Sequence, residues 1–137
     1  APVGSALAGN TDFIMEARRF RKQFGGGMRQ AGIIAAAALF ALENNRERLT
    51  VDHDNAKLFA KGLAEIDGIE INPDDVETNI INFRVKGMTI FELIEKLNQQ
   101  GTLVLPKDNI TIRAVTNLMV SESQLKIALD QVRNAMK

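Results

Sequence analysis

Cysteine, tryptophan and tyrosine are absent from this chain of 137 residues, and histidine occurs once. The lack of cysteine excludes disulfides, thiolate zinc sites and thiol catalysis. A single histidine leaves little material for a metal centre or a Ser-His-Asp triad, so no metal site is expected. A surplus of either charge is also missing, since 17 Lys and Arg residues balance 17 Asp and Glu residues. No net field therefore favours nucleic acid or a membrane surface.

Long hydrophobic runs are missing as well. The longest apolar run, which ends at Leu42, is far shorter than the roughly 20 residues of a membrane-spanning helix. No secretory signal is visible, and we expect a cytoplasmic protein. Residues 2–9 read as a buried strand bounded by glycines rather than as a natural start. We therefore expect the chain to be the C-terminal part of a longer protein.

What the chain does contain is 45% hydrophobic residues, enough for a packed core. Helical spacing of these residues predicts three helices in the N-terminal part, from Asn10 or Thr11 to Gly25, at about 28–44 and at about 46–66. The first helix is expected to bury a stripe of Phe13, Ala17, Phe20 and Phe24. The second is apolar all round, which favours a helix buried on most sides.

The pattern changes after residue 67, where strands and helices alternate. Period-2 alternation and turn residues predict strands at 69–71, 79–85, 103–105 and 110–115, the short link between the last two favouring an antiparallel pair. Capping boxes at Thr89 and at Ser121 predict a helix after each. The fold class is therefore α/β, with residues 1–67 as one part and 68–137 as a small α/β domain.

The segment "RKQFGGGMRQ" places Gly25, Gly26 and Gly27 between basic residues and two helices. Such a loop permits two interpretations. Glycines commonly punctuate helices as a hinge. They also let the backbone approach a ligand, and Lys22 and Arg29 would bring charge to an oxyanion beside a helix start. The segment lacks the Walker pattern, and the residues alone leave both interpretations open.

Three other groups of residues are candidates for a functional role. Arg113 shares one face of its strand with Thr111 and Val115 and needs a carboxylate, either a ligand or a structural Asp or Glu. His53 lies on the apolar face of the third helix and is interpreted as a core residue, with Asp52 and Asp54 on other faces. The acidic residues at 74, 75 and 77 are interpreted as a solvated turn rather than a calcium site.

Several segments together resemble the C-terminal part of low-specificity L-threonine aldolases, which are pyridoxal-phosphate (PLP) enzymes of the aspartate-aminotransferase-like fold type I. The resemblance covers essentially the whole chain and is strongest up to Leu63. It rests on "APVGS", "ARRFRKQFGGGMRQAGIIAAAALFALENN", "RLTVDHDNAKLFAKGL" and "IRAVTNLMVS".

The resemblance implies retro-aldol cleavage of threonine or allo-threonine to glycine and acetaldehyde, with PLP as the electron sink. In such enzymes the residues that match Lys22 and Arg29 reach toward the PLP phosphate, with that phosphate belonging to a neighbouring subunit. The residue that matches Arg113 holds the substrate carboxylate. Asn117 stands where the family more often has His.

The resemblance also implies an absence, because the Schiff-base lysine of the family lies upstream of the residue that matches Ala1. No catalytic residue is therefore assigned within the chain, which we expect to be inactive alone. Its expected partners are an amino-acid substrate, the missing N-terminal part of the enzyme and further copies in a dimer or tetramer. The alternative is a non-catalytic subunit-interaction module of the same fold, associating through an exposed apolar helix from Ile33 to Leu42.

Overall fold

The computed structural model describes residues 5–137, which fall into two compact units. One unit extends to Glu47, and the other runs from Arg48 to Lys137. The first unit holds the helices α1 (Thr11–Gln23) and α2 (Gly32–Asn44). The second holds α3 (Leu49–Ala64), β1 (Ile69–Glu70), a short 3-10 turn (Pro73–Asp75), β2 (Ile80–Val85), α4 (Ile90–Gln99), β3 (Leu105–Pro106), β4 (Thr111–Val115) and α5 (Glu122–Ala135).

Helix α1 begins and ends as its sequence predicts. The Asn10 side chain accepts a hydrogen bond from the backbone N–H of Phe13 at 2.9 Å, which satisfies one of the free donors of the first turn. The strand expected at residues 2–9 begins outside the described residues, and its described part, residues 5–9, is irregular and exposed.

The burial expected for α1 and α2 is wrong within this chain, because neither helix has a buried residue. Phe24 in the connector after α1 is 81% exposed, and Ile33 of α2 is 87% exposed. Periodicity identifies which residues are apolar, but a stripe is buried only where another element covers it. Within the first unit, most of the large apolar side chains of these helices are exposed.

The second unit is built on a four-stranded antiparallel sheet in the order β1-β2-β4-β3. Its central strands alternate as predicted. Ile81, Phe83, Ile112 and Ala114 are buried on one face, while Asn82, Arg84 and Arg113 are exposed on the other. The antiparallel pairing of β3 with β4 is also confirmed, although β3 begins at Leu105 rather than at residue 103.

Three helices cover the buried face of this sheet. Both predicted capping boxes are present, with Thr89 and Glu92 opening α4 and Ser121 and Gln124 opening α5. These helices and α3 enclose one continuous core. Its largest fully buried side chains are Phe83, Leu63, Ile81, Leu93, Leu97, Ile112, Val132 and Thr116.

Helix α3 lies in the second unit, whereas the sequence predicts a division after residue 67. The helix contacts α5 and the strands β1 and β2. Its side chains Ala56, Phe59 and Leu63 are buried in the common core. Because a helix belongs with the core that it fills, the compact units divide ahead of α3.

Candidate functional site

The glycine loop ends α1 by backbone geometry. Gly25 has φ of +81°, a left-handed conformation that glycine adopts without steric cost. Its N–H donates to the carbonyl of Lys22 at 3.2 Å, and the N–H of Gly26 donates to the carbonyl of Arg21 at 2.7 Å. This pair of hydrogen bonds forms a Schellman motif, so the first two glycines satisfy the free carbonyls at the end of the helix.

The third glycine provides space for a basic side chain. A Cβ atom added at Gly27 would lie 3.1 Å from Cδ and 3.3 Å from Nζ of Lys22. The Lys22 side chain therefore folds over the loop, with its ammonium group beside the backbone of Gly27. Lys22 is exposed and makes no ion pair with any described residue.

Arg29 lies in a turn that the sequence pattern does not reveal. Helix α2 begins at Gly32 rather than at Met28, so Arg29 belongs to the connector. Gln30 in the same turn has φ of +49°, an uncommon conformation for a residue with a side chain. The N-cap residue Ala31 offers no side-chain acceptor to the first turn of α2. Like Lys22, Arg29 is exposed and forms no ion pair within residues 5–137.

Arg113 occupies the outward face of the sheet in the second unit. It lies opposite Asn82 of β2 and Leu105 of β3. The guanidinium is exposed and has no hydrogen bond or ion pair with a described residue. The sequence leaves open a structural Asp or Glu as its partner, and the described part of the chain supplies none.

The burial of His53 and of Asp52 differs from what the sequence predicts. His53 is half-buried rather than at the centre of the apolar face. Asp52, expected on another face, is only 5% exposed, and Arg48 lies 3.3 Å from its carboxylate. Asp54 is exposed, as expected. The spacing of Arg48 and Asp52 by four residues is the signal from which this pair could have been found.

The segment after β4 is fixed to α3 by polar side chains that sequence reasoning missed. Thr116 is 1% exposed and donates from its hydroxyl to the backbone carbonyl of Asp52 at 2.7 Å. Asn55 donates from its amide to the carbonyl of Val120 at 3.3 Å. Asn117 accepts the N–H of Met119 at 2.9 Å, which closes a local turn. Asn117 therefore shapes the loop that follows the strand of Arg113.

A cavity of about 420 Å³ opens beside this loop. It lies between Phe59 of α3, Ala114 of β4 and Leu125 of α5, and Asn117 and Met119 also line it. Arg113 is not among the residues that line it. The cavity is therefore separate from the candidate carboxylate site.

Among residues 5–137, no group of three or more His, Asp or Glu side chains is placed to hold a metal ion. Within the same residues, every helix is too short or too polar to cross a membrane.

Comparison with known proteins gives consistent matches. A model of the family described as "Beta-eliminating lyase" matches residues 1–86. "Low-specificity L-threonine aldolase 1" of Arabidopsis thaliana is 39% identical over 99% of this chain and 39% of that protein. "Low specificity L-threonine aldolase" of Escherichia coli O157:H7 is 44% identical over 90% of this chain and 36% of that protein. The chain thus spans well under half the length of these relatives.

Solved structures show the same fold at low sequence identity. MppP soaked with the product 2-ketoarginine has a TM-score of 0.56 and 16% identity, covering 71% of this chain and 30% of that chain. Glutamate decarboxylase of Lactobacillus brevis has a TM-score of 0.53 and 22% identity, covering 62% of this chain and 22% of that chain. These likenesses confirm the expected α/β fold class.

Proposed function

Since the chain belongs to the beta-eliminating lyase family, we propose that it is the C-terminal part of a PLP-dependent aldolase that cleaves L-threonine and L-allo-threonine. The products are glycine and acetaldehyde. The observation that carries this proposal is the 39% and 44% identity to two relatives named low-specificity threonine aldolases, over nearly the whole chain.

Arg113 is the residue that we assign to the substrate carboxylate. Its exposed guanidinium has no carboxylate partner among residues 5–137, so its charge remains available to a ligand. A guanidinium offers two parallel N–H donors to a carboxylate, which fixes the orientation of the amino acid as well as binding it. The rigid central strand β4 holds its backbone in place.

Lys22 and Arg29 are assigned to the phosphate of PLP. Both are exposed cations without ion-pair partners in the described part of the chain, and the glycine loop brings the Lys22 ammonium against the backbone. A point charge at the end of α1 and a planar guanidinium in the connector that follows fit a phosphate dianion. When bound, PLP supplies the electron sink for carbon–carbon bond cleavage. Its phosphate belongs to a neighbouring subunit in this proposal.

We further propose that the chain alone is inactive, since the Schiff-base lysine belongs to a preceding part of the enzyme. The match to only 36% and 39% of the length of two relatives supports this. The exposed apolar side chains of α2 support its association with that part and with further subunits. The complete enzyme would be a cytoplasmic dimer or tetramer.

The experiment compares the chain with the complete enzyme, in which the preceding part is restored. Both are assayed for acetaldehyde release from L-threonine with PLP added. The complete enzyme should be active, and Lys22→Ala or Arg29→Ala should weaken its affinity for PLP. Arg18→Ala, on the same helix but before the loop, serves as the matched control. Threonine cleavage by the chain alone, or unchanged PLP affinity in both loop variants, would contradict the assignment.

A second candidate function is a non-catalytic subunit-interaction module. The exposure of Ile33 at 87% and Phe40 at 62% on α2 favours it, because large apolar surfaces commonly mark association sites. Sedimentation of the chain at several concentrations tests this alternative. Self-association that Phe40→Glu abolishes, combined with inactivity of the complete enzyme, would favour the module.

A further inference from the structure

The outward face of the sheet around Arg113 has an unusual charge arrangement. Asn82 on β2 lies directly opposite Arg113 on β4, and Arg84 lies opposite Thr111. Side chains at directly opposed positions have Cβ atoms about 4.5–5.5 Å apart and share one face of the sheet. Asn82, Arg84 and Arg113 are all exposed there. Two guanidinium groups therefore share this face, with a neutral amide facing one of them.

The carboxylate of Glu70, on the edge strand β1, is already engaged in an ion pair. Glu70 of β1 lies opposite Arg84, and its carboxylate is 2.6 Å from the ammonium group of Lys86. This ion pair, through its hydrogen bond and its charge, lowers the pKa of Glu70. Glu70 is on the strand beyond β2, so β2 separates it from β4 and from Arg113.

The position opposite an exposed arginine on a sheet is where a stabilising carboxylate would ordinarily be placed. Opposite charges across two strands stabilise a sheet, whereas an amide contributes a hydrogen-bonding group without charge. A carboxylate at position 82 would form an intramolecular ion pair with Arg113 and compete with any external anion. An uncharged amide forms no ion pair with the guanidinium and leaves its positive charge for a ligand.

From this juxtaposition we propose that Asn82 is a determinant of specificity for carboxylate ligands at Arg113. Its neutrality keeps the positive charge of the guanidinium unpaired until an amino-acid carboxylate binds. This inference rests on the proposed function, in which Arg113 holds the substrate carboxylate.

The experiment introduces a competing carboxylate at this position in the complete enzyme. Asn82→Asp should raise KM for L-threonine at least ~tenfold, a change that corresponds to about 1.4 kcal/mol. The value of kcat should change far less, because the added carboxylate competes with substrate binding. Asn82→Ser, which stays neutral, should raise KM less than Asn82→Asp. Asn98→Asp adds the same charge on the exposed surface of α4 and should leave KM unchanged.

A double substitution separates this effect from a general disturbance of the sheet. In an Arg113→Ala background, Asn82→Asp should raise KM no further, since its effect acts through the guanidinium. Additive effects of the two substitutions would overturn the inference. So would an unchanged KM in Asn82→Asp when Arg113→Ala alone raises KM, an outcome that leaves the proposed function standing.

A direct measurement on the 137-residue chain does not depend on catalysis. The Nε–Hε signal of Arg113 in an NMR spectrum reports hydrogen bonding of the guanidinium. Asn82→Asp should shift this signal, and Asn98→Asp should not. An unchanged signal would show that position 82 does not contact Arg113 and would overturn the inference. A shifted signal with no effect of Arg113→Ala on KM would instead locate the failure in the proposed function.

Discussion

Many large apolar side chains are buried in the second unit of this chain, whereas most of those in the first are exposed. Phe83 in the second unit is 1% exposed, whereas Phe40 in the first unit is 62% exposed. The second unit has its own sheet and three helices to enclose its apolar residues. Helices α1 and α2 have no buried residue. Apolar content alone therefore does not give a segment a core, since the covering surface must also be present.

The same substitution, Phe to Ala, should reduce the free energy of unfolding much more in the second unit than in the first. Phe83→Ala should reduce the free energy of unfolding by about 3–5 kcal/mol, because it leaves a cavity in a packed core. Phe40→Ala should change that energy by less than about 0.5 kcal/mol, as is usual at exposed positions. Urea unfolding followed by far-ultraviolet circular dichroism measures both, since the chain has no Trp or Tyr as a fluorescent probe. Equal losses would contradict the contrast.

Loss of a buried hydrogen bond in the second unit should have an effect of intermediate size on stability. Thr116→Val removes the buried hydroxyl that donates to the Asp52 carbonyl at 2.7 Å, and should destabilise the second unit by about 1–3 kcal/mol. Amide hydrogen exchange in β4 should become correspondingly faster. Asn10→Ala, which removes an exposed cap of α1, should leave exchange in β4 unchanged. Faster exchange in β4 for both variants would show that the units unfold together.

The smallest expected effect concerns pH and the cap of α4. Hydrogen bonds from the backbone N–H of Thr89 and then from its hydroxyl lower the pKa of Glu92 below its ordinary value of 4.5. A lowered pKa in the folded state means that the ionised carboxylate contributes stability above about pH 4.5, and that this contribution is lost as the pH falls through the lowered pKa.

Replacing this carboxylate should therefore flatten the acid side of the stability profile. Glu92→Gln should show a smaller fall in melting temperature on acidification than the unmodified chain. Glu95→Gln removes an exposed carboxylate from the same helix without removing a capping hydrogen bond, and is the matched control. A profile of Glu92→Gln that overlays the unmodified one would show that the cap does not contribute this dependence.

Local chemistry made much of the second unit predictable from sequence. The alternation in β2 and β4 and the two capping boxes specify structure within a few residues of themselves. The contact of Asp52 with Thr116 was not predictable in this way, because the two residues are distant in sequence. The exposure of α2 was not predictable either, because the pattern of its own residues does not show whether another element packs against it.

Local sequence likewise predicted some features of the candidate site and did not predict others. The strand pattern alone predicted the face of Arg113, and the glycines predicted the end of α1. The sequence did not reveal that Lys22 folds over Gly27, since that contact arises from side-chain packing in the turn. Nor did it reveal that Asn82 faces Arg113, because strand register is set by the pairing of two distant segments. The assignments of Lys22, Arg29 and Arg113 to ligands remain predictions.

The glycine loop has a consequence for cleavage by proteases. Residues 21–30 are all exposed, and trypsin recognises three bonds there by sequence, which follow Arg21, Lys22 and Arg29. Exposed loops rich in small residues are preferred sites of proteolytic nicking. A first cut in this connector would separate α1 from α2 and leave the second unit whole. The rate of that cut, with and without a phosphate-bearing compound, would report occupancy of the loop without any enzymatic assay.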